Sequence, residues 1–261
     1  MTKGETLFLQ KVAASFGNAC HSYVAAARLQ QQVALEALAL MPEHATGHLL
    51  DLGCGPGWIH PRFANLCQQF TAVDLSAGML AKAASQQLAA AYVQADAEQL
   101  PLPDASVDKV FSSLMLQWCA NPHAALSHIA RVLTPGGQAV LTTLVAGSLL
   151  ELQQAFACVD DKQHVNHFLP VNQLKATASR LNGMSWQYIE RSYTLYYPDV
   201  QSLARELKAL GANQVAGRQQ QGLTGKGYWQ KLAMAYDKTR TSEGLPATYQ
   251  VLQLVGVKDG S

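Results

Sequence analysis

Three acids and three glycines carry the first chemistry legible in this chain. Leu49-Leu50-Asp51-Leu52-Gly53-Cys54-Gly55-Pro56-Gly57 is an apolar run that closes on Asp51 and breaks into alternating glycines. Glycine costs chain entropy unless its bare backbone is used, so a ligand is expected close to Gly53, Gly55 and Gly57. The spacing departs from the Gly-x-Gly-x-x-Gly of a dinucleotide site, because the third glycine comes one residue early. Asp51 at the turn points to a nearby cation rather than to a pyrophosphate. Seventeen residues after Gly57, a second apolar run ends in Asp74, placed to accept from two ribose hydroxyls, with Leu75 beside it. A third run ends in Asp96-Ala97-Glu98, where a carboxylate can meet an adenine amino group. A sulfonium on an adenosine, flanked by carboxylates and with no phosphate to cradle, fits these demands, so the expected ligand is S-adenosylmethionine. A glycine turn with acids that only cap helices is the rival reading. It accounts for each element singly but not for all three in order.

Composition frames what can position these residues. The chain has 261 residues, about half of them apolar, and a net charge of +1, enough for one large α/β domain with an inserted cap. No run approaches the roughly 18 apolar residues of a membrane span. The N-terminus lacks the apolar core of a signal peptide, so the protein reads as cytoplasmic and not membrane-bound. Cys20, Cys54, Cys67, Cys119 and Cys158 are widely spaced and form no Cys-x-x-Cys pair, which indicates reduced thiols rather than disulfides or a zinc site. The near-neutral charge leaves no footprint for nucleic acid. His164-x-x-His167 and the His44/His48 pair have no acid or cysteine at metal spacing in this reading, and no metal is expected.

The elements follow from periodicity. Residues 5–40 read as helical, with a turn at Phe16-Gly17-Asn18. From Gly47 short apolar runs alternate with helical stretches, the mark of a mostly parallel sheet. Strands are expected at His48–Asp51, Phe70–Asp74, Ala91–Gln94, Val107–Ser112 and Gln138–Leu144. Helices are expected near Trp58–Cys67, Gly78–Ala89 and Asn121–Val132, with a tight turn at Thr134-Pro135-Gly136-Gly137. Beyond it, Ser148–Val159, Asn172–Leu181, Val200–Leu210 and Tyr228–Thr239 read as helices and Trp186–Tyr197 as an exposed strand. Arg218–Lys226 is a loop. Thr248–Val257 is a last strand, antiparallel at the far edge of the sheet. The resulting organisation is a single domain: a helical lid over 1–46, a cofactor core over 47–145, a cap over 146–247 with an insertion at 199–240, and the final strand over 248–261.

Leu-Asp-Leu-Gly-Cys-Gly-Pro-Gly, Val-Asp-Leu-Ser, Ala-Asp-Ala-Glu-x-Leu-Pro and Arg-Val-Leu-Thr-Pro-Gly-Gly together resemble the class I S-adenosylmethionine-dependent methyltransferases. That resemblance implies a Rossmann-like α/β fold with a seven-stranded sheet, mostly parallel with an antiparallel last strand. The Asn/Asp-Pro-Pro-Tyr tetrapeptide of amino-group methyltransferases is replaced here by Leu114-Met115-Leu116-Gln117-Trp118, so an amide or base nitrogen is not the expected acceptor. A second resemblance covers almost the whole chain. Residues 12–23 (VAASFGNACHSY), 116–119 (LQWC), 142–152 (TTLVAGSLLEL), 164–170 (HVNHFLP), 207–212 (LKALGA) and 245–249 (LPATY) are similar to the malonyl-[acyl-carrier protein] O-methyltransferase family of biotin synthesis. Ser113 and Phe156 depart from that family's common asparagine and tryptophan.

The second resemblance implies methylation of the free carboxylate of a malonyl thioester, on acyl carrier protein or on coenzyme A, with S-adenosylhomocysteine as co-product. Such a carboxylate, with a pKa of about 3–4, is ionised at neutral pH and needs no general base. Catalysis then consists of alignment and exclusion of water. On this reading Tyr23 covers the cofactor from the N-terminal side, and Gln117 faces it from the end of the fourth strand. Trp118 and Phe168 pack the acceptor, and His164 and Asn166 bond beside it. Their rival reading is ordinary packing in the core. Residues 199–240 hold seven basic side chains against three acidic ones. Arg205, Lys208 and Arg218 there are expected to clamp the acyl carboxylate or to dock an acidic carrier, against the rival of a solvated helix face. Two further readings stand beside this one: a related methyltransferase of a small free acid or quinone precursor, and a non-catalytic scaffold.

Overall fold

The computed structural model describes residues 3–42, 47–212, 214 and 225–260. Strands β1 (His48–Leu52), β2 (Gln69–Asp74), β3 (Ala91–Gln94), β4 (Val107–Ser113), β5 (Leu133–Leu144), β6 (Met184–Tyr197) and β7 (Leu245–Lys258) form one sheet in the order β3-β2-β1-β4-β5-β7-β6. The first five strands run parallel, and β7 is antiparallel to both of its neighbours. The last strand is therefore antiparallel as expected, but it is not the edge: β6 lies outside it.

Successive strand residues face opposite sides, which is why the parallel strands read as unbroken apolar runs. Leu50 and Leu52 join Val73, Val110 and Leu141 under helix α5 (Pro122–Val132). Leu49, one residue away, packs instead with Ala72, Phe111, Val140 and Phe63 on the other face. The chain order reverses across β1, with β2 on one side and β4 on the other. Such a switch point opens a crevice at the carboxyl ends of the strands, where α/β folds bind ligands.

The N-terminal segment differs from expectation. Helix α1 runs unbroken over Lys3–Ala19, followed by α2 (Tyr23–Ala26) and α3 (Arg28–Leu38). Gly17 makes no turn; a Cβ on Gly78 would lie 2.9 Å from its Cα, so the two glycines let α1 press onto α4 (Ala77–Ala84). The helix expected near Trp58–Cys67 is only a short 3-10 turn, His60–Asn65. Thr134–Gly137 is assigned to β5, but it bulges where the β4–β5 register shifts between Val107 and Lys109.

Helices α6 (Leu150–Ala157), α8 (Val200–Ala209) and α9 (Lys226–Asp237) form the cap, whereas α7 (Val171–Ala178), expected in it, buries Leu174 and Ala178 in the main core beside α5. Beyond Val251, its last partner for β5, β7 continues backward to Leu245 with β6 alone. That overhang carries a second core in which Leu203, Leu232 and Tyr236 are fully buried beside Leu29, Leu149, Val165 and Tyr249. Each large apolar side chain buried there contributes about 1.5–3 kcal/mol, enough to hold the cap in a defined place. Among the described residues no helix is long and apolar enough to cross a membrane.

Candidate active site

The glycine turn leaves β1 with its amides already used: Gly53 N and Cys54 N donate to Val73 O at 2.8 and 3.0 Å. Gly53, Gly55 and Gly57 have φ of 75°, 54° and 74°, the left-handed region that side chains disfavour. Their surroundings differ. A Cβ on Gly53 would meet the Met115 side chain at 2.5 Å and one on Gly57 the His60 ring at 2.6 Å, whereas Gly55 has nothing within 4 Å. Gly55 thus presents open backbone to a cavity of about 110 Å³.

That cavity is also lined by Gly53, Asp74, Leu75, Asp96, Ala97 and, from α1, Phe16. Asp74 accepts from Gly55 N and Ser76 N, both at 2.8 Å. Burial, only partly offset by the Ser76 and Gly55 amides and reinforced by Asp51, pushes its carboxyl up to about 6. Asp96 caps the 97–99 turn by accepting from Glu98 N at 2.9 Å. Glu98 is turned away, its carboxylate accepting from Asn121 N at 2.9 Å.

Three residues expected at the cofactor, Asp51, Gly57 and Gln117, do not line this cavity. Asp51 is buried behind the turn, its Oδ2 3.0 Å from His60 Nε2. Burial pushes its carboxyl up, against the opposing effect of His60. The histidine supplies the partner that the sequence reading sought in a ligand cation. Gly57 packs on that same ring. Asp51 does line a smaller recess with Tyr23, Gln30 and Trp58.

A second cavity, about 240 Å³, lies under the cap. Phe16, Tyr23, Leu114 and Trp118 belong to both cavities and form their common wall. Trp118 meets Phe16 edge to face at 5.3 Å. Burial, and secondarily the charge of Asp74, holds the Tyr23 hydroxyl protonated far above its usual range, so it remains a donor. Gln117 lines the second cavity and not the first. It is bound by Leu114 O at 2.6 Å, and its Oε1 accepts from Thr143 Oγ1 at 3.1 Å. His164, Asn166 and Phe168 line the second cavity as well. Asn166 Nδ2 donates to Gln214 O at 2.8 Å.

The basic residues are not brought there. Arg205 and Lys208 are exposed on α8, while Leu203, Ala204 and Leu207 of the same helix face the cavity. Arg205 Nη2 donates to Ser202 Oγ at 2.9 Å. A carboxylate clamp inside the cavity by these two is excluded by their side of the helix. Arg218 lies outside the described residues. The sequence reading missed Phe16, Gln30, Tyr228, Trp229 and Tyr249 as lining residues. Phe16 and Tyr249 lie within the family-like stretches 12–23 and 245–249, but Gln30, Tyr228 and Trp229 carry no local signal, because only long-range packing assembles them.

Residues 50–141 match the family model described as "Methyltransferase domain". The chain is 40% identical over 232 residues to the malonyl-[acyl-carrier protein] O-methyltransferase of Serratia marcescens, covering 89% of this chain and 90% of that protein. It is 39% identical to the biotin biosynthesis bifunctional protein BioHC of Cellvibrio japonicus, matching 94% of this chain but spanning only 49% of that longer protein. Among solved structures, a putative methyltransferase from Bacillus halodurans superposes with a TM-score of 0.64 at 17% identity, over 87% of this chain and 99% of that one. This last likeness concerns the fold.

Proposed function

The chain belongs to the malonyl-[acyl-carrier protein] O-methyltransferase family, and from that membership we propose that it methylates the free carboxylate of a malonyl thioester on acyl carrier protein. The methyl donor is S-adenosylmethionine. The products are the malonyl-carrier methyl ester and S-adenosylhomocysteine, which places the reaction at the entry to pimeloyl synthesis for biotin. The observation that carries this reading is the common wall of Phe16, Tyr23, Leu114 and Trp118 between a cavity with the glycine turn and an apolar cavity under the cap.

The residues of the first cavity fit the donor. The open space at Gly55 is what a Cβ would fill, and Asp74 and Asp96 offer carboxylate oxygens at the ends of β2 and β3. When bound, S-adenosylmethionine supplies an electrophilic methyl on a sulfonium. Asp74 holds the hydroxyls of the sugar, and Asp96 with Ala97 and Leu75 takes the base. Phe16 and Trp118 close the gap between the two cavities against water. In the second cavity Leu152, Phe156, Phe168 and Leu203 strip water from the acceptor, and a carboxylate without its hydration shell is the better nucleophile. No side chain has to take a proton, because the acceptor arrives ionised. His164 and Asn166 orient it, and alignment of this kind can lower a barrier by about 7–11 kcal/mol. Arg205 and Lys208, exposed on α8, suit the rim where an acidic carrier would dock.

The test is transfer of label from methyl-labelled S-adenosylmethionine to malonyl-carrier protein, acetyl-carrier protein and free malonate, followed by alkaline release of methanol from any ester. Base-labile label on the malonyl carrier alone supports the reading. Equal label on the acetyl carrier would show that the acceptor is not the malonyl carboxylate.

A further inference from the structure

One polar cluster interrupts the apolar wall of the cavity under the cap. Asp160 follows α6, His164 lies in the segment before α7, and Tyr228 stands in the first turn of α9. His164 Nε2 is 2.7 Å from Asp160 Oδ1 and 3.1 Å from the Tyr228 hydroxyl, which itself donates to Asp160 Oδ2 at 2.9 Å. The imidazole stacks on Phe156 with centroids 4.0 Å apart and an angle of 11°. The His164 side chain is 6% exposed and that of Asp160 21%. Among the described residues, the titratable groups hydrogen-bonded to the ring are Asp160 from its own segment and Tyr228 from α9, while α6 contributes the uncharged Phe156.

The chemistry of these contacts restricts the ring. An ionised carboxylate only accepts, so Nε2 carries a proton toward Asp160. The other nitrogen, Nδ1, then determines what the ring offers a ligand. In the neutral ring Nδ1 is a lone pair, which repels a carboxylate. In the imidazolium it is a charge-assisted donor. Among the described residues lining this cavity there is no lysine or arginine, and Gln117 is taken up by its own chain.

We propose that Asp160 is a positioning residue that engages His164 Nε2–H and so aims the opposite edge of the ring at the malonyl carboxylate, whose oxygen that does not attack is bound by Nδ1–H in the complex. This deepens the malonyl-thioester reading and rests on it. Asp160 is itself well placed to remain charged. Burial alone would raise its carboxyl, but the Lys162 amide, His164 and Tyr228 outweigh that and bring it down to about 2. The Phe156 stack fixes the plane of the ring, and Tyr228 ties the cluster to the helix that also lines the cavity. A brace that merely fastens the segment to α9 would account for the same hydrogen bonds. It would not make recognition depend on the charge of the acyl group.

The experiment compares wild type, Asp160→Asn, His164→Gln and Tyr228→Phe. It measures methyl transfer to malonyl-carrier protein. It also measures binding of malonyl- and acetyl-carrier protein in the presence of S-adenosylhomocysteine. In Asp160→Asn, kcat/KM falls at least about tenfold, the scale of one hydrogen bond to a charged group. Malonyl-carrier binding weakens while acetyl-carrier and S-adenosylhomocysteine binding stay at wild-type levels. His164→Gln loses the same preference for the malonyl carrier, and Tyr228→Phe keeps it. An unchanged preference for the malonyl carrier in Asp160→Asn, or equal weakening toward both carriers, overturns the inference and leaves a structural brace. A wild-type protein that methylates no malonyl carrier overturns the parent reading and this inference with it.

Discussion

Gly55→Ala separates the two things that a glycine turn can do. At Gly53 and Gly57 an added Cβ would strike Met115 or His60 within 3 Å, so substitution there confounds packing with binding. At Gly55 the Cβ would meet nothing within 4 Å, and only the φ of 54° resists it. An L-residue in that conformation costs about 1–2 kcal/mol. For a domain of this size, that corresponds to a melting temperature lower by about 2–8 °C. The new methyl group projects into the space assigned to the cofactor. Loss of close approach there should weaken S-adenosylhomocysteine binding by at least about tenfold, which is about 1.4 kcal/mol. Thermal unfolding and titration calorimetry on the same preparation measure both effects. A folded Gly55→Ala protein that binds S-adenosylhomocysteine as tightly as wild type would refute the placement of the cofactor against this turn.

Three further outcomes follow from the same geometry. Asp74→Asn should weaken S-adenosylmethionine binding by about 1.5–3 kcal/mol, the range for a hydrogen bond to a charged group. In the wild type, cofactor affinity should fall as pH drops through about 6, because a proton then competes for the Asp74 carboxylate. The raised carboxyl has the opposite effect on the free protein, whose stability declines as pH rises from the ordinary aspartate range toward about 6; calorimetry with and without cofactor reads both signs. Gly78→Ala puts a methyl 2.9 Å from the Gly17 Cα and should lift α1, with Phe16, from the mouth of the cofactor cavity. Faster proteolysis of residues 3–19 and a several-fold weaker S-adenosylhomocysteine complex are expected, and an unchanged proteolysis rate counts against α1 as a lid. Arg205→Ala and Lys208→Ala should raise KM for the carrier substrate and flatten its salt dependence without altering cofactor affinity, since both are exposed outside the cavity. Wild-type kinetics at low and high salt would place them on an ordinary solvated face.

The parallel half of the sheet was legible because its determinants are local. Asp74 and Asp96 stand at strand ends, and the glycines stand where the backbone must take positive φ, so order along the chain already gives order in space. The reading failed where a residue's meaning depends on a distant partner. Gly17 read as a turn until α4 supplied Gly78, and Asp51 read as a ligand to a cation until His60 supplied its neighbour. The period-two alternation of residues 186–197 marked an exposed strand correctly. Nothing local told that β7 would insert between it and β5, since antiparallel pairing over so long a loop is decided by the whole sheet. The cap helices were found in sequence, but their common cavity was not. Tyr23, His164, Tyr228 and Tyr249 meet only after four separate elements have packed. Asp160 was passed over for the same reason: its contact with Tyr228 spans 68 positions.

The most direct test of the central claim is the intact mass of malonyl-acyl carrier protein after incubation with S-adenosylmethionine and this protein. The account predicts a gain of one methyl group in place of one hydrogen, confined to the acyl moiety, lost on mild alkaline treatment and absent from the acetyl carrier. An unmodified malonyl carrier, with methyl transfer instead to a small free acid or a quinone precursor, would contradict it.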